Sequence, residues 1–305
     1  MGSHAITAFF GQDALCEAST SGVLTQVVNQ INVCYPQGTG FPLLMYEVDS
    51  SYTNLSVYGW NVVQQYGLVT NTDVNNFLAG LQANNQTGPA IIPCSGTNDP
   101  FTGWTQAAVQ SWVQSIDGNT NIAWWSLPEQ LLPWYPTETN LLGNYLTWTR
   151  QYDPQQRPCY EYTENSFTAA DMSKIIIYSD IVAVSCYCEQ INMPHAWVRY
   201  KLQQVGAGGA ALAGKTLGPN YLAGQKTLIG DLSIAEYPNT NNYPTEPTPA
   251  QTYHDFWSAI ASGAQGIAVY SYYHAENDDP ANLTNCLLQA NIAASQITGP
   301  EQMAA

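Results

Sequence analysis

The sequence has little positive charge and little charge of either sign. Its 305 residues include seven Lys+Arg and 23 Asp+Glu, so the formal net charge at pH 7 is −16. Nucleic acids and anionic membranes attract clustered Lys and Arg, and the composition therefore argues against both as partners. Because only 10% of the residues are charged, the surface must consist largely of uncharged polar side chains, tyrosine and glycine.

The chain also lacks long hydrophobic runs and internal linkers. No stretch approaches the roughly 18 consecutive apolar residues that a membrane-spanning helix requires. No charge block or low-complexity tract divides the chain, and its 45% of hydrophobic residues are enough for a sizeable core. Met1-Gly2-Ser3-His4 is typical of residues added for expression. We therefore expect a single folded domain that begins after these four residues and covers residues 5–305.

Metal-binding and redox motifs are missing as well. The sequence contains no CxxC, HxH or HExxH pattern, and no Gly-x-Ser-x-Gly of the kind that marks many serine hydrolases. Seven cysteines are an odd number, so at least one thiol stays free. Cys186 and Cys188 on one strand would lie about 7 Å apart, too far to bond each other. We therefore expect neither a metal nor a cofactor.

What the chain has instead is many aromatic and uncharged polar side chains, including nine Trp and 20 Tyr. This composition suits a neutral ligand that is bound by hydroxyl hydrogen bonds and ring stacking, such as a carbohydrate. It suits equally well a secreted or acid-tolerant protein with a polar surface. Asn54, Asn85 and Asn282 begin Asn-x-Ser/Thr triplets, which weakly favour an extracellular or secreted location.

Short apolar runs alternate with helical patterns along the whole chain, at intervals of roughly 40 residues, which is typical of repeated βα units. The apolar runs are nearly continuous, as expected for parallel strands that are buried on both faces. The predicted strands are Ala5–Phe10, Pro42–Val48, Ala90–Cys94, Ile122–Leu127, Cys159–Tyr162, Ile181–Cys188, Thr227–Ile234 and Gly266–Tyr273.

Segments with helical periodicity lie between these runs, and several begin at a Thr or Asn that can cap a helix. The predicted helices are Gly22–Val33, Thr72–Asn84, Trp104–Ile116, Thr137–Trp148, Thr168–Ile176, Pro194–Val205, Thr248–Gly263 and Asn282–Ile297. Eight strand–helix units predict an α/β fold, a single (β/α)8 (TIM-like) barrel. An open doubly wound sheet is the alternative, although the glycine fingerprint of its nucleotide-binding versions is absent.

Acidic residues follow several of the predicted strands, where a barrel of this type has its active site. Glu129 comes just after predicted strand 4, and Glu236 comes at the end of predicted strand 7. Few cations are available to pair with such acids, and buried like charges push their pKa values apart. Acetal hydrolysis needs one protonated and one ionised carboxyl group, so these two residues are the predicted catalytic pair.

At these two positions the sequence resembles retaining glycoside hydrolases of the (β/α)8-barrel type, which have catalytic glutamates after strands 4 and 7. The resemblance is carried by Trp124-Trp125-Ser-Leu-Pro-Glu129 and by Ile234-Ala-Glu236-Tyr237. It implies that Glu129 is the general acid/base and Glu236 the nucleophile, and that Tyr187 holds the nucleophile carboxylate.

The sequence departs from that group in three respects. Pro128 stands where many members have an Asn that binds the sugar 2-hydroxyl, and Tyr272 and Tyr273 stand where strand 8 usually ends in Trp. The chitinase-type pattern of spaced aspartates on strand 4 is missing. The particular family therefore stays open.

Polar and aromatic side chains near the same strand ends are predicted to bind a carbohydrate substrate, since sugar rings stack on aromatic faces. The predicted substrate-binding residues are Asp13, Glu47, Asp49, Trp125, Trp134, Tyr187, Glu189, Tyr237 and Tyr272. One of the adjacent Trp124 and Trp125 is expected to fill the barrel core or the helix layer instead.

Two kinds of function fit this sequence. The first is a glycoside hydrolase that acts on a poly- or oligosaccharide, with carboxyl groups about 5–5.5 Å apart if it is retaining and about 6.5–9.5 Å apart if it is inverting. The second is a lectin-like barrel that binds glycans without catalysis. A lyase or transglycosylase using the same pocket is a weaker third alternative.

Overall fold

The computed structural model describes residues 2–6, 9–10, 19–20, 24–28, 41–48, 55–68, 70–91, 105–129, 133, 135–235, 246–277 and 280–299. Near the amino terminus it contains two antiparallel pairs. Strand β1 (Gly2–Ile6) pairs with β4 (Leu24–Val28), and β2 (Phe9–Phe10) pairs with β3 (Ser19–Thr20).

The remaining eight strands are parallel and form one sheet. They are β5 (Leu43–Met45), β6 (Val62–Val63), β7 (Gly88–Ile91), β8 (Ile122–Ser126), β9 (Cys159–Thr163), β10 (Ile181–Ser185), β11 (Thr227–Ser233) and β12 (Ile267–Tyr270). Their order in the sheet is β6-β5-β12-β11-β10-β9-β8-β7. The Val63 amide donates to the Thr87 carbonyl at 2.9 Å, which brings the two edge strands together. The result is a nearly closed (β/α)8 barrel, and the predicted fold class is confirmed.

Helices separate most of the barrel strands along the chain. They are α1 (Asn71–Ala83), α2 (Gln106–Ile116), α3 (Pro136–Tyr152), α4 (Ala169–Ile175), α5 (Ala196–Tyr200), α6 (Gly208–Leu212), α7 (Pro249–Ala261), α8 (Tyr272–Asn277) and α9 (Pro280–Ile297). A π-helical segment, Lys201–Ala207, joins α5 to α6. No helix in these described ranges is both long and apolar enough to cross a membrane.

Threonine side chains start four of the helices, and two of them, Thr168 and Thr248, stand where the sequence predicts a helix to begin. Thr70, Thr105, Thr168 and Thr248 each accept a hydrogen bond from a backbone amide in the first turn. The amides at a helix start have no partner within the helix, so this bond stabilises the start by about 1 kcal/mol.

Two strand assignments made from the sequence are wrong. The described residues of the predicted first strand, Ala5–Phe10, belong to β1 and β2 outside the barrel, and the barrel contains β6, which was not predicted. Two apolar residues in a polar loop are too short a run to be recognised as a strand. The predicted helix Gly22–Val33 is also wrong, because the structure has a strand over Leu24–Val28. β-branched residues such as Thr25 and Val27 favour a strand over a helix.

The core has two layers, which explains why the strand sequences are continuously apolar. Inside the barrel, side chains such as Leu44, Trp124 and Ile229 form a compact cluster. A larger cluster packs the outer strand faces against the helices. All five residues of β10 are buried, because its side chains alternate between the two layers.

Four of the seven cysteines belong to the described residues. Cys159, Cys186, Cys188 and Cys286 are buried free thiols. The expectation that Cys186 and Cys188 do not bond to each other is confirmed.

Candidate active site

A cavity of about 340 Å³ opens at the carboxyl ends of the barrel strands. The residues that line it come from six different strands or the loops that directly follow them. They are Glu47, Tyr66, Glu129, Tyr162, Glu164, Tyr187, Gln190 and Tyr270. A barrel of this type has its active site at this end.

Glu129 follows β8 in the turn after Pro128, and its carboxyl group is largely enclosed. Both carboxyl oxygens accept long hydrogen bonds from the Tyr66 hydroxyl at 3.3 Å, and Gln64 Nε2 lies 3.5 Å from Oε1. Burial raises the pKa of Glu129 to about 7, although the bonds from Tyr66 and Gln64 oppose the rise. Glu164 and Glu47 add to the rise through their negative charge. A carboxyl group of this kind retains its proton near neutral pH and can donate it.

Two further carboxyl groups line the same cavity. Glu47 follows β5 with a φ of 55°, a left-handed conformation that is uncommon for a residue other than glycine. Its Oε2 accepts a hydrogen bond from Ser271 Oγ and lies 3.6 Å from His274 Nε2. Glu164 follows β9, and burial raises its pKa, while the charge of Lys201 lowers it.

A fourth carboxyl group, that of Asp231, lies enclosed in the barrel. It projects inward from the middle of β11 and is completely buried. The Tyr187 hydroxyl donates to Asp231 Oδ2 at 2.8 Å, and Oδ1 has no hydrogen-bond partner among the described residues. Burial raises the pKa of Asp231 well above its usual value, the bond from Tyr187 lowers it, and the charge of Glu129 raises it further.

Stacked tyrosines form much of the cavity wall and the layer beneath it. The Tyr46 and Tyr66 rings stack with centroids 5.9 Å apart, and the Tyr187 and Tyr270 rings do so at the same separation. The Tyr46 hydroxyl is hydrogen-bonded to the Tyr160 hydroxyl deeper in the barrel. Tyrosine offers both an apolar face and a hydroxyl, which suits a polyhydroxylated ring.

Of the predicted site residues, Glu129, Glu47 and Tyr187 come together at this cavity. Glu236, Asp13, Asp49, Trp134 and Tyr237 lie outside the described residues. In the described part of the chain the Tyr187 hydroxyl donates to Asp231, which precedes Glu236 by five positions in the sequence.

The prediction that Trp125 faces a substrate is contradicted by the structure. Its side chain is completely buried, Nε1 donates to Asp153 Oδ2 at 2.8 Å, and the Arg157 guanidinium lies over the ring. The pairing of β7 with β8 is irregular, so that Ala123 and Trp124 both belong to the inner cluster and Trp125 packs outside. The sequence predicts that one of the two adjacent tryptophans fills the barrel core or the helix layer. Both do, with Trp124 in the barrel core and Trp125 in the layer between strands and helices.

Glu189 and Tyr272 are not among the residues that line the cavity either. Glu189 Oε1 lies 3.2 Å from His195 Nε2, in an ion pair among the surrounding helices. Tyr272 begins α8 and packs against the outer core, because the last barrel strand ends at Tyr270 and not at Tyr273 as predicted. Tyr270 therefore lines the cavity at the position that was predicted for Tyr272.

Several residues of the site were not identified from the sequence as substrate-binding. They are Gln64, Tyr66, Tyr162, Glu164, Gln190, Asp231 and Tyr270. Tyr66 was missed together with β6, the short strand that it follows. Asp231 did carry a signal, because an acid within a buried strand is rare unless it has a special partner or role.

One group of described residues could hold a metal ion. The ligand atoms of Cys188, His195 and Asp255 lie within 4.8 Å of one another. In the structure His195 already bonds two carboxylates, with Nδ1 2.6 Å from Asp255 and Nε2 3.2 Å from Glu189. This arrangement satisfies the imidazole as a cation without a metal.

No protein-family model matches the sequence, and no curated protein is significantly similar to it. Solved structures with the same fold do exist. A β-D-glucuronidase from Dictyoglomus thermophilum superimposes with a TM-score of 0.55 at 12% identity, covering 87% of this chain and 50% of that one. A β-galactosidase from the psychrophilic Marinomonas ef1 gives 0.60 at 10% identity, over 84% of this chain and 59% of that one.

A Ruminococcus gnavus β-glucuronidase in complex with D-glucuronic acid gives a TM-score of 0.54 at 8% identity, covering 88% of this chain and 46% of that one. The chain thus spans about half the length of these similar structures. All three are glycoside hydrolases, and what they share with this chain at such low identity is the fold.

Proposed function

We propose that this chain hydrolyses a glycosidic bond in a poly- or oligosaccharide, with Glu129 as the general acid. The observation that carries the proposal is the Glu129 carboxyl group, whose pKa burial raises to about 7 at the carboxyl end of the fourth barrel strand. It lines a tyrosine-walled cavity together with other carboxyl groups. A protonated carboxyl group beside ionised ones is the arrangement that acetal hydrolysis requires.

In this proposal Glu236 is the second catalytic carboxylate, acting as a nucleophile in a retaining mechanism. It follows β11, the seventh barrel strand, whose carboxyl end is at the same edge of the sheet as that of β8. Asp231 is a poorer candidate because it is completely buried and its raised pKa favours the neutral form. Glu47 and Glu164 line the cavity and are proposed to bind the substrate.

The fold neighbours support the reaction class and no more than that. Two of the enzymes named above act on glucuronides and one on galactosides by their names, so the fold alone does not specify a sugar. An extracellular location remains part of the proposal, resting on the low charge and the uncharged polar composition.

The test is turnover of matched α- and β-linked oligosaccharides by the wild type, Glu129→Gln and Glu236→Gln. We expect each variant to lose about 100-fold or more in kcat while still binding sugar. In a third variant, Glu236→Ala, added azide should restore turnover by entering the space that the carboxylate leaves. Asp117→Asn, which removes one negative charge at the opposite end of the barrel, is the matched control and should stay fully active.

The second candidate is a lectin-like barrel, which the tyrosine wall of the cavity would also suit. Sugar binding that is the same in the wild type and in Glu129→Gln, without any cleavage by the wild type, would favour it. Detection of the anomer that is first released separates retention from inversion, and unsaturated or transferred products would indicate a lyase or a transglycosylase.

A further inference from the structure

We propose that the sugar in this cavity carries a protonated amine and no carboxylate, and that Glu164 binds the amine. The inference rests on the proposed function and specifies its substrate class. It starts from the charges that a ligand would meet in the cavity.

Every Lys and Arg of the chain lies in the described residues, and none of them lines the cavity. The seven are Arg150, Arg157, Lys174, Arg199, Lys201, Lys215 and Lys226. The segments outside the described residues therefore have no Lys or Arg to bring to a ligand. They do contain acids, among them Asp49, Asp99 and Glu236.

Lys201 is the cation whose charge acts on Glu164, but it does not line the cavity. It is completely buried, and its Nζ donates to the carbonyl oxygens of Asn165 at 3.1 Å and Phe167 at 3.0 Å. His274 is the histidine beside the cavity, and its Nε2 lies 3.6 Å from Glu47 Oε2. Any positive charge on His274 is therefore offset by that carboxylate.

The cavity itself is lined by three carboxyl groups, four tyrosines and one glutamine. A ligand carboxylate would be repelled by Glu47 and Glu164 and would find no guanidinium or ammonium partner. Buried charges are tolerated only when they are paired, so a uronic acid is a poor ligand for this site. The chain differs in this respect from what its fold similarity to glucuronidases would suggest.

A ligand ammonium group, in contrast, would find a carboxylate partner in the cavity. Glu129 is held as an acid by its raised pKa, and Glu47 is bonded to Ser271 and lies near His274. Glu164 lines the cavity, and no hydrogen bond or ion pair to its carboxylate is found among the described residues. A protonated amine at Glu164 would form a charge-assisted hydrogen bond, worth about 10- to 100-fold in affinity.

The experiment measures binding of free sugars, so that it does not depend on turnover. Amino, neutral and uronic forms of glucose and of galactose are titrated against the wild type at mildly acidic pH, by calorimetry or ligand-observed NMR. We expect one amino sugar to bind at least about tenfold more tightly than its neutral counterpart, and the uronic acids to bind most weakly.

Glu164→Gln tests the assigned residue. The variant should lose the preference for the amino sugar over the neutral one, while Asp117→Asn should keep it. A uronic acid that binds as well as the neutral sugar, an amine preference that survives in Glu164→Gln, or no binding by any sugar would overturn the inference. Cleavage of neutral glycosides without any amine preference would overturn it and leave the hydrolase function standing.

Discussion

At the scale of single residues, the proposed hydrolysis depends on how one carboxyl group, that of Glu129, keeps its proton. Glu129 loses most of its hydration in the cavity, and this loss is the largest cause of its raised pKa. Tyr66 opposes the effect, because its hydroxyl bonds both carboxyl oxygens and stabilises the ionised form. In the proposed mechanism Tyr66 therefore positions the Glu129 carboxyl group and lowers its pKa.

The pH dependence of kcat/KM tests how burial and the bonds from Tyr66 together set the pKa of Glu129. For the wild type we expect activity to fall as the pH rises through about 7, since Glu129 then loses the proton that it must donate. Tyr66→Phe removes the bonds that favour the ionised form, so the alkaline limb should move to higher pH. Tyr221→Phe makes the same change beside Gln156, on the amino-terminal side of the barrel, and should not move the limb. An unchanged limb in Tyr66→Phe would contradict the assigned role.

At the scale of secondary-structure elements, the site depends on the seam where the barrel closes. Tyr66 and Gln64 follow β6, and β6 meets β7 where the Val63 amide donates to the Thr87 carbonyl. Gly88 makes this approach possible: a Cβ added there would lie 2.8 Å from the Val63 carbonyl oxygen and 2.5 Å from Leu81 Cδ1. Such distances are too short for a methyl group without movement of the strands.

Gly88→Ala should therefore force β6 and β7 apart. We expect it to lower the free energy of unfolding by about 1–3 kcal/mol, as overpacking of a dense core does. It should also weaken sugar binding, since Tyr66 would shift. Gly118→Ala is the control, because a Cβ added at Gly118 meets nothing within 4 Å. Equal urea midpoints for the two variants would show that the seam tolerates a side chain.

A second pair of elements is connected by His195. It bonds Glu189, just after β10, and Asp255 on α7, and so connects the loop after one strand to a helix that follows another. Burial alone would lower the pKa of His195, but the hydrogen bonds to Asp255 and Glu189 outweigh it and raise the pKa to about 10. The imidazole is thus a cation shared by two acids across the physiological range.

At the scale of the whole molecule, the main electrostatic feature is the excess of acidic over basic residues, including acidic residues that are buried within the barrel. Asp231 and Glu161 are almost completely buried, and burial raises both pKa values well above the usual range. In the unfolded chain these groups ionise at ordinary carboxyl pKa values. Folding is therefore favoured while they are protonated, and this contribution is lost as the pH rises through their folded pKa values.

Thermal stability should accordingly be higher at mildly acidic pH than at alkaline pH. His195 acts in the same direction, because its raised pKa favours folding below about 6.5 and loses that effect as the pH rises toward about 10. Added salt should also raise the melting temperature by screening the net charge of −16. Melting temperatures measured across the pH range test this prediction. In Asp231→Asn the melting temperature should depend less on pH than in the wild type. A melting temperature that rises with pH would contradict it.

Much of the fold followed from local patterns. Parallel strands buried on both faces produce apolar runs, and threonine caps mark the starts of helices, so the (β/α)8 layout could be predicted. Only part of the site followed. Glu129, Glu47 and Tyr187 were identifiable because they come directly after strands. Tyr66 was not, because the two-residue strand β6 is too short to be recognised, and Tyr270 was not, because β12 ends three residues before the predicted end at Tyr273.

The sequence by itself determined the fold class, the acidity, the small number of Lys and Arg residues, and the position of Glu129 just after strand 4. The tertiary structure decided which side chains meet. It turned Trp125 to the outside through an irregular strand pairing, paired Tyr187 with Asp231, and brought Tyr66 after β6 to Glu129 after β8, the strands on either side of β7. Periodicity reports only which faces of an element are buried. Contacts between distant residues depend on where each short strand ends and how the ring closes, and no local pattern records that.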